Sequence, residues 1–341
     1  MKRRHFLVAA AAVSTALAFG PASAQDKKFL TMDSFPAGST TGQFGIAFTQ
    51  VIQKHLPIEI QSSVGKPATK SAVDAAQFKV DLFTTAPSIN HFMQTKTAMF
   101  AKVDNAPELN QNLRNIMNIP LGPYHIVVYE ESGIKSLEDI KGKKVFLGPP
   151  AGAATAVAIQ LIEGATGYKP DQDFESMRYD WQSAETAFLD RQMDVYIAPT
   201  VMPSPSIQQF GLVSKIRILG LSDAAFETEP VKAALALPGR TIENIPANLY
   251  ENQANETDSK TVGSWVGLGT HKNMDADTVY QMTKTFFEHL DEIHATAAWM
   301  RVINKDTIFN ESNIPLHIGA YRYYKEVGWD VPADQIPPEA N

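Results

Sequence analysis

Short apolar runs alternate with amphipathic stretches through the first third of the chain, and this rhythm narrows the fold more than any other feature. "KFLTMDS" reads as a strand, and "GQFGIAFTQVIQKHL" then puts Phe44, Ala47, Phe48, Val51 and Ile52 on one helical face. "IEIQSS" is a second strand, residues 69–78 a second helix, and "VDLFTTA" a third strand that ends before Pro87. Strands separated by helices of this length predict a parallel sheet with helices on its faces, and such sheets take ligands at the carboxyl ends of their strands.

Further along, "LRNIMNIPLGPYHIVVYEESGI" carries two more apolar runs, and a fresh βα unit follows, with a strand at 145–147 and a helix at 153–165. A change of domain is therefore expected near Tyr129. "AETAFLDRQMDVYIAPTVMPSPS" repeats the pattern as helix, strand at 195–198 and proline-rich loop. Residues 224–258 show no assignable periodicity. "TVGSWVGLGTHK" is the expected return strand, with helices at 275–289 and 291–302 after it. Two α/β lobes joined by two crossings enclose a cleft, the geometry of a hinged binding protein. The expected division is 25–128 with 260–341 for one lobe and 129–259 for the other.

The first 24 residues stand apart from this pattern. A basic start, an alanine-rich apolar middle and Ala22-Ser23-Ala24 have the form of a cleavable export signal. Arg3-Arg4 fits a twin-arginine signal loosely, with Lys2 where Ser or Thr is usual; Sec export to the periplasm is the expectation. No later run of about 18 apolar residues suggests insertion in a membrane. The chain has no cysteine, which excludes disulfides, thiolate metal sites, a cysteine nucleophile and a lipidated N-terminal cysteine. Without Lys2, Arg3 and Arg4 the formal charge moves from −7 to −10, which disfavours nucleic acid and anionic membrane as partners.

"FPAGSTTGQFG" at the first strand-to-helix turn is open to three chemistries. A phosphate-gripping P-loop needs G-x-x-x-x-G-K-[ST], but Gly38 and Gly42 are four apart and Gln43 follows. A nucleophile elbow needs G-x-S-x-G; here Thr40 takes the serine's place, and its β-branch resists that turn. There remain a helix N-terminus that receives an anion and plain capping by Ser39 or Thr41. Three further loops at strand ends are rich in glycine and hydroxyls: Gly65, Lys66 and Thr69; Thr84, Thr85 and Ser88; Gly148, Gly152 and Thr155. Lys66 is the one cation among these loops, and a loop lysine is ordinarily solvated. The eight histidines lack metal-ligand spacing, so neither metal nor cofactor is expected. Carboxylates such as Glu138, Asp139, Asp190 and Asp194 read as solvated charge, and nothing argues for acid/base catalysis. In "IPLHIGAYRYYKEVGW" a terminal helix would place Tyr321 and Tyr324 on one face, pair Arg322 with Glu326, and end at Gly328.

The ordered set "GSTTGQFG", "NLRNI", "SGIKSLEDIKGKKVFLGPPAGAAT" and "PLHIGAYRYYKEVG" resembles the TAXI family of solute-binding proteins, which serve one class of TRAP transporter. The likeness runs through nearly the whole chain after residue 24, and its ending is the most specific part. It implies a two-lobed periplasmic binding protein of type II-like form, each lobe a mixed sheet flanked by helices, which closes over a small organic anion and delivers it to the membrane permease. The resemblance implies no enzymatic activity. Family members look like binders of glutamate, glutamine, 2-oxoglutarate and related acids. This chain departs at the pocket: Thr41-Gly42-Gln43-Phe44-Gly45 stands where relatives have Gly-Gly-x-Tyr-Tyr-Pro, Val64-Gly65-Lys66-Pro67 where they have Gly-Gly-Ser with a following Asn, Ala151-Gly152-Ala153-Ala154 where they have Gly-Ser-Gly-Thr, and Ile318 replaces a usual proline. The expected ligand contacts are Gly38, Ser39, Thr40, Thr41, Gly42, Gln43, Lys66, Thr69, Thr85 and Ser88 from the first lobe. Gly152 and Thr155 would close from the second, with Thr200 and Pro203 on the hinge side. An ABC importer's binding protein shares this logic, and an exported hydrolase using Thr40 or a serine is the rival from another class.

Overall fold

The computed structural model describes residues 27–35, 39–150 and 152–340; the expected export signal and Gly38 lie outside the described residues. In chain order the first lobe opens with β1 (Lys28–Ser34), α1 (Thr40–His55), β2 (Ile58–Val64), α2 (Ala68–Ala76), β3 (Leu82–Thr85), α3 (Pro87–Thr95), α4 (Ala106–Asn110) and β4 (Leu113–Pro120). Then come β5 (Tyr124–Tyr129), β6 (Lys144–Phe146), α5 (Ala153–Thr166), β7 (Glu175–Ser176), α6 (Trp181–Leu189), β8 (Val195–Pro199), α7 (Pro205–Val213) and β9 (Ile216–Ile218). Finally α8 (Asp223–Phe226), α9 (Glu229–Leu235), β10 (Arg240–Ile245), β11 (Ser259–His271), α10 (Ala276–Glu288), α11 (Leu290–Thr296) and α12 (Ile318–Glu326) complete the chain.

Two mixed sheets result. One runs β10-β11-β3-β1-β2 with β4 also on β11, and the other runs β7-β6-β8-β5-β9. In the first, β1 is parallel to β2 and β3, while β11 is antiparallel to β3, β4 and β10. In the second, β6 is parallel to β7 and β8, while β5 runs antiparallel to β8 and β9. The first crossing is the short stretch Leu121, Gly122, Pro123 between β4 and β5. The long strand β11 makes the return, its first half paired with β10 and its second with β3 and β4.

Side-chain alternation explains why the second sheet is covered on both faces. Along β5, Ile126 and Val128 enter one core with Val145 and Leu161, while Val127 and Tyr129 enter another with Phe146, Phe188 and Phe210. Helix α1 buries Phe44, Ala47, Phe48, Val51 and Ile52, the face expected from its periodicity, against Phe286 of α10 and the strands behind it. Tyr324 of α12 is fully buried in the same core and donates its hydroxyl to the Ile116 carbonyl at 2.8 Å.

Two local expectations need correction. Arg322 and Glu326 do not pair along α12; Arg322 reaches Asp277 at 2.8 Å, and Glu326 accepts from the Tyr280 hydroxyl at 2.5 Å. Both side chains lie toward α10, where cross-helix partners are available. The unassigned region 224–258 holds α8 and α9, which are short, and β10, whose outer face is solvated. A strand on a sheet edge needs apolar residues on one face only, so "RTIENI" carries a weak signal.

Candidate functional site

A cleft of about 540 Å³ lies between the two sheets, walled by loops at the carboxyl ends of β1, β2 and β3 on one side and of β6 and β8 on the other. A volume of this size suits a small molecule. Ser39 caps α1, its side chain accepting from the Gly42 N–H at 3.1 Å, and Ser39, Thr40 and Thr41 all reach the wall. Lys66, Thr69, Ser88, Gly152 and Thr200 also line it.

Other expected contacts are occupied by the fold. Gly42 sits inside α1 with its N–H used by the cap. The Gln43 side chain points to the core, where its carbonyl accepts from Trp299 Nε1 at 2.9 Å. Thr85 and Asn90 exchange side-chain hydrogen bonds in the interior, and Thr155 donates to the Pro149 carbonyl at 2.7 Å. Those two hydroxyls hold the turns that others line. Gly42, Gln43, Thr85, Thr155 and Pro203 are not among the wall residues.

Thr40 has a joining role that excludes it as a free nucleophile. Its hydroxyl lies 3.2 Å from the Leu121 carbonyl and 3.1 Å from the Val201 N–H, and Thr200 Oγ1 is 3.5 Å away. A base is missing from this set, so the hydroxyl ties the first lobe to the crossing and to the β8 loop.

The charges of the wall divide into paired and unpaired. The Lys66 ammonium lies 2.8 Å from a carboxylate oxygen of Asp33 and 2.8 Å from one of Asp74. The hydrogen bond to Asp33, then that to Asp74, raises its pKa, and the trio carries one net negative charge. Arg240, at the start of β10, has no carboxylate within ion-pair distance among the described residues. Its guanidinium donates to the Ser264 hydroxyl and, at 3.3 Å, to Ser88 Oγ. Its Nε is buried without a partner, as is the Tyr124 hydroxyl, and the guanidinium stands 5.8 Å from the Tyr124 ring centroid. Arg240, Tyr124 and Ser88 all line the cleft. A carboxylate or sulfonate in the cleft would meet a guanidinium that no carboxylate among the described residues neutralises.

The opposite wall carries Glu185. Burial raises its pKa, and Ser206 donates to it at 2.8 Å. Pro149, Pro150, Trp181, Tyr196 and Ile207 make that side largely apolar. Arg240, Tyr124 and Glu185 were not visible as site residues in the sequence. Arg240 falls in the unassigned region, and the other two sit in a strand and a helix that read as scaffold.

Two α/β lobes around a cleft of this kind define the fold of two-lobed periplasmic solute-binding proteins. The chain belongs to the NMT1-like family, whose model matches residues 94–328. Among solved structures, a periplasmic transporter aligns with a TM-score of 0.50 at 17% identity, over 84% of this chain and 99% of its own. The alkanesulfonate-binding protein SsuA of Xanthomonas axonopodis pv. citri, bound to MOPS, aligns at 0.47 and 13% identity over 89% of this chain and 92% of its own. A TRAP periplasmic solute-binding protein of Ralstonia eutropha H16 aligns at 0.44 and 10% over 91% and 88%. None of the described helices is long and apolar enough to cross a membrane.

Proposed function

We propose that this chain is the periplasmic solute-binding component of a TAXI-type TRAP transporter, which captures a small organic anion by lobe closure and hands it to the membrane permease. The expected division into 25–128 with 260–341 and 129–259 is revised in this reading: the first crossing is put at Leu121, Gly122 and Pro123, so that β5 goes with the second lobe, while β10 goes with the sheet of the first. Ser39, Thr40, Thr41, Lys66, Thr69, Ser88, Gly152 and Thr200 remain proposed wall contacts. Gly42, Gln43, Thr85 and Thr155 become supports of that wall, and Pro203 is no longer proposed as a contact.

The observation that carries the reading is Arg240, a cation that lines the cleft and that no carboxylate among the described residues pairs. Leaving such a group empty is unfavourable, and an anion relieves it with charge-assisted hydrogen bonds. Lys66 is less suited to that role, since two carboxylates already hold it.

A thermal-shift screen over amino acids, 2-oxo acids, dicarboxylates and sulfonates tests this directly. The wild-type chain should be stabilised by an anion of one class. Arg240→Gln should lose that response, with affinity down by about 2–5 kcal/mol for a truncated buried charge contact. Undiminished affinity in Arg240→Gln would remove the proposed anchor.

A further inference from the structure

Far from the cleft, His55 at the end of α1, His289 between α10 and α11, and Glu292 of α11 converge on one spot. All three ligand atoms lie within 4.8 Å of one another. Glu292 Oε1 is 3.0 Å from His55 Nε2 and 3.4 Å from His289 Nδ1. The side chains are 25%, 34% and 36% exposed, so the spot opens to solvent at a helix junction rather than in the core. Sequence spacing alone hides this cluster, because His55 is brought to the other two by the packing of α1 on α10 and α11.

The donor set, rather than the separations, discriminates between metals. Ligand atoms about 2.0–2.1 Å from one ion stand about 2.9 Å apart on an octahedral edge and about 3.3 Å apart on a tetrahedral edge, so the two separations observed bring the donors within reach of a shared ion without choosing its geometry. Two imidazoles and one carboxylate are the donor set that a borderline transition ion prefers, whereas magnesium and calcium need more oxygens. The second oxygen of Glu292 is held by Lys54 at 2.8 Å, which leaves Oε1 as its contribution to the cluster. The two rings now stack, centroids 3.5 Å apart and planes 11° from parallel. An ion binds in the plane of an imidazole, so loading must turn the rings out of this stack, and their partial exposure gives room for that. His55 would carry its proton on Nδ1 and His289 on Nε2 once the ion is held.

We propose that His55, His289 and Glu292 form a zinc-class metal site that staples the C-terminal end of α1 to the α10–α11 corner, with water as fourth ligand. The other end of α1 carries Ser39, Thr40 and Thr41 into the cleft wall. The staple therefore braces a wall element without touching the ligand.

The test uses the full chain after chelator treatment. Zinc titrated calorimetrically should bind at one ion per chain and raise the thermal midpoint, while magnesium at the same concentration does neither. Affinity should fall by more than about 100-fold in His55→Ala and in His289→Ala, each having lost one of three protein ligands, and stay unchanged in His91→Ala. Histidine side-chain NMR on the wild-type chain gives a reading that does not depend on any variant folding: zinc should move the His55 and His289 resonances and leave those of buried His125 and His317 in place. No zinc binding by the wild-type chain, or resonances other than these two responding, overturns the proposal.

Discussion

The Tyr250 hydroxyl meets His125 Nε2 at 2.7 Å in the interior of the second lobe. His125 Nδ1 lies 3.0 Å from the Pro123 carbonyl, so that nitrogen carries the proton and Nε2 accepts from the tyrosine. The same hydroxyl accepts from the Ser204 N–H at 3.0 Å. One phenol thus joins the crossing at Pro123 to the loop after Thr200. Tyr250→Phe keeps the ring but orphans a buried imidazole nitrogen and a buried N–H. It should cost about 1–3 kcal/mol in urea unfolding, with the denaturant slope unchanged.

Burial holds two histidines neutral. Desolvation lowers both His125 and His317 to about 4, the second with its Nε2 3.2 Å from the Met274 carbonyl. Their unfolded value is about 6.5, so above neutral pH both states are unprotonated and the fold is fully favoured. As pH falls through 6.5 the unfolded chain takes up protons that the folded chain refuses, and stability drains away until about pH 4. Each histidine contributes a loss of about 3 kcal/mol at full extent. Glu130, held at about 2 first by Arg217, adds its own loss only at lower pH. Unfolding free energies at pH 7.5, 6 and 5 should decline steadily, and the carbon-bound proton shifts of both histidines should stay flat above pH 5. Titration of either near 6.5 would contradict the assignment.

The scaffold was legible because its signals are local. The apolar face of α1 and the alternation of β5 are periodic patterns that fix which side faces a core, whatever lies opposite. The cleft was legible only as a set of turns at strand ends. Hydroxyls read alike in sequence whether they face a ligand or a neighbouring backbone, and only the fold separates Ser88 on the wall from Thr85 bonded to Asn90. Lys66 looked like a candidate anion contact because its partners, Asp33 and Asp74, come from β1 and α2. Arg240 was hidden for the converse reason, since its proposed importance is that no carboxylate among the described residues meets it.

Lys66→Met separates pairing from ligand contact. Asp33 is 5% exposed in its side chain and would be left buried beside Asp74 without a cation. Removing one partner of such a group should destabilise the chain by about 2–4 kcal/mol. Adding Asp33→Asn should restore most of it, a coupling that a double-mutant cycle reads. An unchanged thermal midpoint in Lys66→Met, together with lost anion binding, would instead make this lysine a ligand group.

Gly122 stands where the chain crosses between lobes, and two demands meet there. Its φ is +106°, and a Cβ would lie 2.1 Å from the Thr200 carbonyl oxygen. The neighbouring bonds leave little room to shift: the Leu121 and Gly122 N–H groups donate to the Ser264 carbonyl at 2.9 and 3.1 Å, and the Thr200 N–H donates to Pro123 at 3.1 Å. Gly133 supplies the control, with φ of +75° and open space around its Cβ position. Gly133→Ala should therefore cost only backbone strain, about 1–2 kcal/mol. Gly122→Ala adds a backbone collision and should cost about 3 kcal/mol or more, because either the crossing or the Thr200 loop must move. Paired urea titrations measure the difference, and equal losses in the two variants would show that the crossing yields freely, leaving Thr200 no part in holding it.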